Sequence, residues 1–334
     1  MSRTTVFLCL VLLLLSTACT SGPEQARLER GEAAAERLAE SINNDFIPIR
    51  RRVVQLAENI RALYLDKDAV LKRVDTSKYR MADNGILYKA VSDGKAALFV
   101  SGCTPITPEV MEEAYFTEGI DEDLETACRD FPSVVQAYYN SANNLNRIYP
   151  PFDVLAQFEP RIDITKFNFY YLADEQHNPK KGPVWVAEPY VDPAGRGWTV
   201  SVIAPVYVNG EFKGVPGLDV TVGTIADRYI RPGDKHILLV DGEGVVIAGH
   251  EDFISLFSLP PLADHKYLTT IKQDTYRRDD YSLLKSRSKA VRALGKKLLG
   301  ATSNQVGISI RGRSHTILSR RIPELGWTLL YLVE

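Results

Sequence analysis

The stretch "GVPGLDVTV" sets one carboxylate, Asp219, among apolar and β-prone neighbours. If the stretch is a strand, Val215, Gly217, Asp219 and Thr221 share a face. A buried carboxylate there is costly unless a cation or hydrogen-bond donors meet it. A ligand's ammonium group or a polyamine would satisfy it. So would a lysine or arginine of the protein, in a structural salt bridge, and both readings stay open. Upstream, "VWVAEPYVDPAGRGW" supplies Trp185, Tyr190 and Asp192. Tryptophan and tyrosine have flat apolar faces and a polar tip, which suits the wall of a small-ligand pocket and can hold a cation over the ring. Packing at a strand edge is the alternative. In "LADEQHNP", Asp174, Glu175 and His177 fall within four residues, but their spacing matches no metal motif. Asp174 and His177 are therefore expected at the pocket mouth, either touching the ligand or capping a strand end, and no metal or cofactor is expected.

Other chemistries lack their residues. The chain has no G-x-S-x-G elbow, no H-E-x-x-H and no phosphate-binding P-loop, and its five histidines are scattered. An enzyme is not expected. A formal net charge of -2 without a long basic stretch argues against a nucleic-acid partner. A composition 45% hydrophobic and 25% charged predicts packed cores rather than disorder, and 334 residues suggest about two domains.

These residues need elements to position them. The N-terminus "MSRTTVFLCLVLLLLSTAC" has a basic start and an apolar run too short to span a bilayer comfortably, so it reads as an export signal. Its ending resembles a bacterial lipobox, with Cys19 as the lipidated residue, although Ser16 stands where leucine is usual. A plain secretory signal is the alternative. From Glu24 to Leu65, apolar residues recur at three- and four-residue steps, which predicts a long helix interrupted or kinked at Pro48. "GILYKAVSDGKAALFVSG" predicts two strands around a turn, and Thr107 to Tyr139 an acidic helical segment. "FNFYYLADEQHNP", "PVWVAEPYV", "GWTVSVIAPVYV" and "EFKGVPGLDVTV" all read as strands, with an Asn209–Gly210 hairpin turn between the last two. "IADRYIRPGDK" reads as a connector. Two strands follow in "HILLVDGEGVVIAGH", then a basic amphipathic helix in "DYSLLKSRSKAVRALGKKLLG" and two or three final strands. Cys103 and Cys128 are the cysteines left after the signal and the lipid site. In an oxidising envelope they suggest a disulfide worth about 2–4 kcal/mol, with two free thiols as the alternative.

In order and spacing these pieces resemble a double Cache domain, the extracytoplasmic sensor module of bacterial receptors. The resemblance rests on the long leading helix, "WVAEPYVD", "VSVIAPVYVNGEFKGVPGLDVTV", "LLVDGEGVVIAGH" and the terminal "ELGWTLLYLVE". It implies an α+β fold, a long N-terminal helix followed by two PAS-like units with antiparallel sheets. The expected divisions are 1–18 signal peptide, 19–27 lipidated tether, 28–66 stalk helix, 67–229 membrane-distal ligand-binding unit and 230–334 membrane-proximal unit. Members that bind amino acids carry an Arg-x-Trp-Tyr element, then a tyrosine and an aspartate. Tyr190 and Asp219 match the last two, while "LADEQHNPKKGPVW" replaces the first and with it the arginine that would clamp a carboxylate. The resulting expectation is a solute-sensing protein lipid-anchored to a membrane, the outer one preferred over the inner, that faces the periplasm or the cell surface and either signals through a separate partner protein or delivers or scavenges a solute. Its pocket is bounded by Trp185, Tyr190, Asp192 and Asp219, its ligand offers Asp219 a positive or hydrogen-bond-donating group such as an amine, and the N-terminal helix offers a homodimer seam. A structural or assembly lipoprotein without a small ligand is the alternative.

Overall fold

A computed structural model describes residues 22–230, 235–262, 278–299 and 304–333. Cys19 and the export signal lie outside the described residues.

Helix α1 (Gly22–Leu65) is the spine. Its buried residues, Gly31, Ala35, Ala39, Ile42, Phe46, Ile49, Val53, Leu56 and Ile60, recur every three or four positions and form one apolar stripe. At 44 residues it is about 66 Å long. Pro48 lies inside it without ending it, against the expectation of an interruption. Phe46 and Ile49 are both buried beside the proline, so packing on either side outweighs the lost backbone hydrogen bond.

Two antiparallel sheets pack against this spine. The first contains β1 (Tyr79–Met81), β2 (Leu87–Lys89), β3 (Ala97–Val100), β4 (Gln136–Ser141), β5 (Leu145–Tyr149), β6 (Val184–Val191), β7 (Trp198–Ile203), β8 (Val206–Val208) and β9 (Glu211–Thr221). Its order is β1-β2-β3-β5-β4-β9-β7-β6, with β8 also paired to β9. The second contains β10 (Ile237–Val240), β11 (Val246–Gly249), β12 (Gln305–Ile310), β13 (Arg313–Ile322) and β14 (Trp327–Val333), in the order β11-β10-β14-β13-β12.

The segment from Thr107 to Tyr139 is helical only in part. It holds α2 (Pro108–Phe116) and α3 (Asp121–Asp130), but Gln136 onward is strand β4. Conversely "FNFYYLADEQHNP" is no strand; it holds a single helical turn, Asn168–Tyr171. The expected connector carries the short helix Val222–Tyr229, and the basic helix is confined to Lys289–Leu299. Val291, Leu294 and Leu298 turn its apolar face onto the second sheet's core. Asn209 and Gly210, with φ of 52° and 85°, make the tight turn between β8 and β9.

Alternation on the first sheet separates two cores. Ala137 and Tyr139 on β4 and Leu218 and Val220 on β9 face α1. Tyr138 on β4 and Val215 on β9 face the opposite way, toward Phe158, Phe169 and Tyr190. One continuous apolar cluster runs from the first sheet along α1 to Ile237, Trp327 and Leu329 of the second.

The disulfide expectation is corrected. Cys103 and Cys128 are free thiols: Cys103 Sγ donates to the Ile162 carbonyl at 3.4 Å and Cys128 Sγ to the Tyr149 carbonyl at 3.7 Å. Each sulfur packs against a different part of the fold, so the even count of cysteines has no bearing on pairing. Among the described residues no helix is long and apolar enough to cross a membrane.

Candidate ligand-binding site

Strand register builds the site. Asp219 on β9 pairs with Gln136 on β4 to one side and Ser201 on β7 to the other. Three polar side chains thus stand in a row across adjacent strands. Gln136 Nε2 donates to Asp219 Oδ2 at 2.6 Å, and Ser201 Oγ donates to Asp219 Oδ1. Tyr190 Oη lies 2.6 Å from Ser201 Oγ. The same Gln136 amide donates to Asp192 Oδ2 at 3.0 Å, so one NH2 group bridges two carboxylates.

Asp192 owes its place to the turn after β6. Its Oδ1 accepts from the Ala194 N–H at 3.0 Å and its Oδ2 from the Arg196 N–H at 3.1 Å, an Asx turn closing on "DPAG". Asp192, Gln136 and Asp219 are all buried, Asp219 completely at 0% exposure. No described lysine, arginine or histidine forms an ion pair with either carboxylate; the nearby Arg196 guanidinium instead donates to Gln136 Oε1 and the Pro150 carbonyl, each at 3.4 Å. Burial, and then the Asp192 charge, push the Asp219 carboxyl up to about 8. Burial likewise raises Asp192. Near neutral pH the pair therefore holds one proton rather than two full charges.

Beyond the carboxylates lies a cavity of about 30 Å³. Tyr138, Tyr190, Phe158 and Phe169 form its aromatic walls, and Asn140 and Asn146 close its far end. Phe169 stacks obliquely on Tyr190 with ring centroids 5.5 Å apart, and meets Tyr138 edge-on at 6.0 Å. Tyr138 covers Gly217 so closely that a Cβ at 217 would collide with the ring's Cζ and its Oη. Its own Oη meets no acceptor in hydrogen-bond geometry among the described residues.

Tyr190, Asp192 and Asp219 are thus brought together on one cavity, and three other expected residues lie elsewhere. Trp185 sits on the α1 side of β6, packs on Phe46 at 5.4 Å and donates its Nε1–H to Glu324 Oε1 at 2.8 Å. Asp174 and His177 form an outlying capped turn. Asp174 Oδ1 accepts from the His177 N–H at 2.9 Å and lies 2.8 Å from its Nδ1. No group of three or more described His, Cys, Asp or Glu residues is arranged to hold a metal ion. Gln136, Tyr138, Asn140 and Asn146 were not anticipated. The polar–apolar alternation of "VVQAYYNS", a strand pattern, is the signal that would have found the first three.

The arrangement, one spine helix bearing two antiparallel α+β units in series, is the double Cache fold. No protein-family model matches the chain, and no curated protein does. Among solved structures it is similar to the ligand-binding domain of the amino acid chemoreceptor PctB of Pseudomonas aeruginosa in complex with L-Arg, with a TM-score of 0.51 and 13% identity over 91% of this chain and 93% of that one. The same domain with L-Gln matches at a TM-score of 0.50 and 14% identity, over 90% of this chain and 88% of that one.

Proposed function

We propose that this chain is an extracytoplasmic small-molecule receptor whose cavity takes a cationic, amine-bearing solute at Asp192 and Asp219. One observation carries the reading: two buried carboxylates share a single amide donor and form no ion pair with a described side chain, the neighbouring Arg196 guanidinium being turned to Gln136 and the Pro150 carbonyl. Such a pair is costly in a ligand-free core, and an ammonium group supplies what it lacks. Aromatic walls beside the carboxylates suit the same cation. The fold shared with PctB is consistent with this reading, although the carboxylate clamp expected for an amino acid has no counterpart in the cavity lining. In this reading the ligand displaces the proton held by the pair, so affinity weakens as pH falls below about 8.

The same reading includes the envelope. Cys19 carries lipid, the chain faces the periplasm, and occupancy passes to a separate signalling protein. Replacing Cys19 with alanine would release the protein from the membrane fraction.

A second reading, a structural envelope lipoprotein, is supported by the cavity's size: about 30 Å³ holds only one or two waters. Thermal unfolding of wild type and Asp219→Asn across amines, amino acids, organic acids and purines separates the two. An amine at about 100 times its dissociation constant should stabilise the wild type by roughly 2.7 kcal/mol and the variant not at all. Binding of anionic or neutral solutes that ignores Asp219→Asn would reject the amine site; no binding from any class would favour the structural role.

A further inference from the structure

The cavity's far end is also polar, and nothing in the first pole explains it. Asn140 on β4 and Asn146 on β5 are directly paired across the strands, and Asn146 Nδ2 donates to Asn140 Oδ1 at 2.7 Å. Both are buried, at 1% and 5% exposure. That bond leaves Asn146 Oδ1 facing no donor among the described residues, on a side chain that lines the cavity. A buried carbonyl oxygen without a donor is uncommon and costs stability unless something meets it. Asn140 lies four residues beyond Gln136 on the same strand, about 13 Å along it. Between the two ends the lining is aromatic and aliphatic, with Tyr138 and Ile148 at its middle. The cavity thus runs from a pair of carboxylates, past an apolar waist, to an uncapped amide oxygen.

We infer that this second pole reads the far end of the ligand, and that the solute is a short linear amine with a hydrogen-bond donor at each end, an α,ω-diamine. The inference rests on the amine reading of the carboxylate pole. One ammonium group meets Asp192 and Asp219, the alkyl chain lies against the rings, and the second nitrogen donates to Asn146 Oδ1. A monoamine of equal length leaves that oxygen unmet. An amine with a carboxylate at its far end brings an acceptor to an acceptor, which selects against amino acids. A cavity this small must widen to admit any of them, and the part of the lining between 158 and 169 belongs to no strand of the sheet.

The test is calorimetric titration of the full chain in detergent with butylamine, putrescine, cadaverine and γ-aminobutyrate, using wild type, Asn146→Leu, Asn146→Asp and Asp219→Asn. In wild type a diamine should bind at least about tenfold more tightly than butylamine. Asn146→Leu should shrink that preference, weakening diamines more than butylamine, and Asn146→Asp should enlarge it. Should the leucine variant fail to fold, the wild-type ratio and the aspartate variant decide. Equal binding of butylamine and diamines, an equal loss of both in Asn146→Leu, or tighter binding of γ-aminobutyrate would overturn the second pole. In those cases Asp219→Asn would still weaken butylamine, so the first pole survives. Failure of every amine to bind, with Asp219→Asn without effect, removes both.

Discussion

Replacing Asp219 with asparagine should make the ligand-free protein more stable at alkaline pH, and the size of the gain follows from the site. Asp219 is wholly buried, and burial and the neighbouring Asp192 lift its carboxyl from 3.8 to about 8. Between those values the folded chain keeps a proton that the unfolded chain has released. Stability therefore falls as pH rises through the window, by up to about 1.4 kcal/mol per pH unit for one proton. For a chain of this length that corresponds to about 2 °C in Tm per pH unit. Asparagine preserves the shape, still accepts from Gln136 and does not titrate. The assay is thermal unfolding of both proteins at intervals from pH 5 to pH 8. Groups outside the pair act alike in both, so the difference isolates the coupled titration of Asp219 and Asp192. The curves should lie close together near pH 5 and diverge towards pH 8, with the variant melting higher. Parallel curves across the whole range would refute the argument, because they would mean that Asp219 ionises as freely in the fold as in the unfolded chain.

Three further outcomes follow from the packing. Gly217→Ala puts a methyl group where the Tyr138 ring lies, so it should cost roughly 1–3 kcal/mol in chemical denaturation and abolish binding at the cavity. Glu324→Ala strips the acceptor from both Arg50 and Trp185 Nε1 at the junction of α1 with the two sheets, with an expected loss of about 1–3 kcal/mol. Both Cys103 and Cys128 should label with a maleimide after unfolding without reductant, and reductant should leave Tm unchanged. In the folded protein Cys128 should label slowly at pH 8, because burial pushes its thiol up to about 12.

The elements were legible where one periodicity dominated. The spine helix has a stripe of apolar residues at every third or fourth position, and that stripe survives in the structure through Pro48. Strands β6 to β9 were legible because β-branched residues alternate with polar ones and Asn209–Gly210 marks a turn. Two segments were misread for opposite reasons. "SVVQAYYN" follows an acidic helix across Phe131–Pro132, and that proline is the breaker which marks the helix end and separates it from the strand. "FNFYYL" is rich in aromatic residues that favour strands, but the structure uses it as a single turn whose Phe169 and Tyr170 are buried. Tertiary packing overrides propensity in the second, whereas the valines and tyrosines of the first favour the strand it forms.

The candidate site was less legible, because what defines it is register rather than composition. Asp219 was conspicuous as a carboxylate in an apolar strand. The identity of its partners depends on which residues of β4 and β7 stand opposite it, and those strands lie 83 and 18 residues away along the chain. A slip of one residue in β4 would present Ala137 or Val135 to Asp219 in place of Gln136, and would turn Tyr138 away from the cavity. Trp185 shows the same rule from the other side. It lies on β6 with Tyr190, yet its odd position turns it to α1, where Phe46 and Glu324 receive it, whereas Val186 and Tyr190 face the cavity core. The irregularity between Val186 and Tyr190 preserves that alternation, since Val186 pairs with Ser201 and Tyr190 with Thr199. Ala187 and Glu188, within the irregular stretch, bond to Trp327 and Arg278 of the second unit. One strand thus presents Tyr190 to the cavity and its bulge to the neighbouring sheet, an arrangement that no local run of residue types encodes.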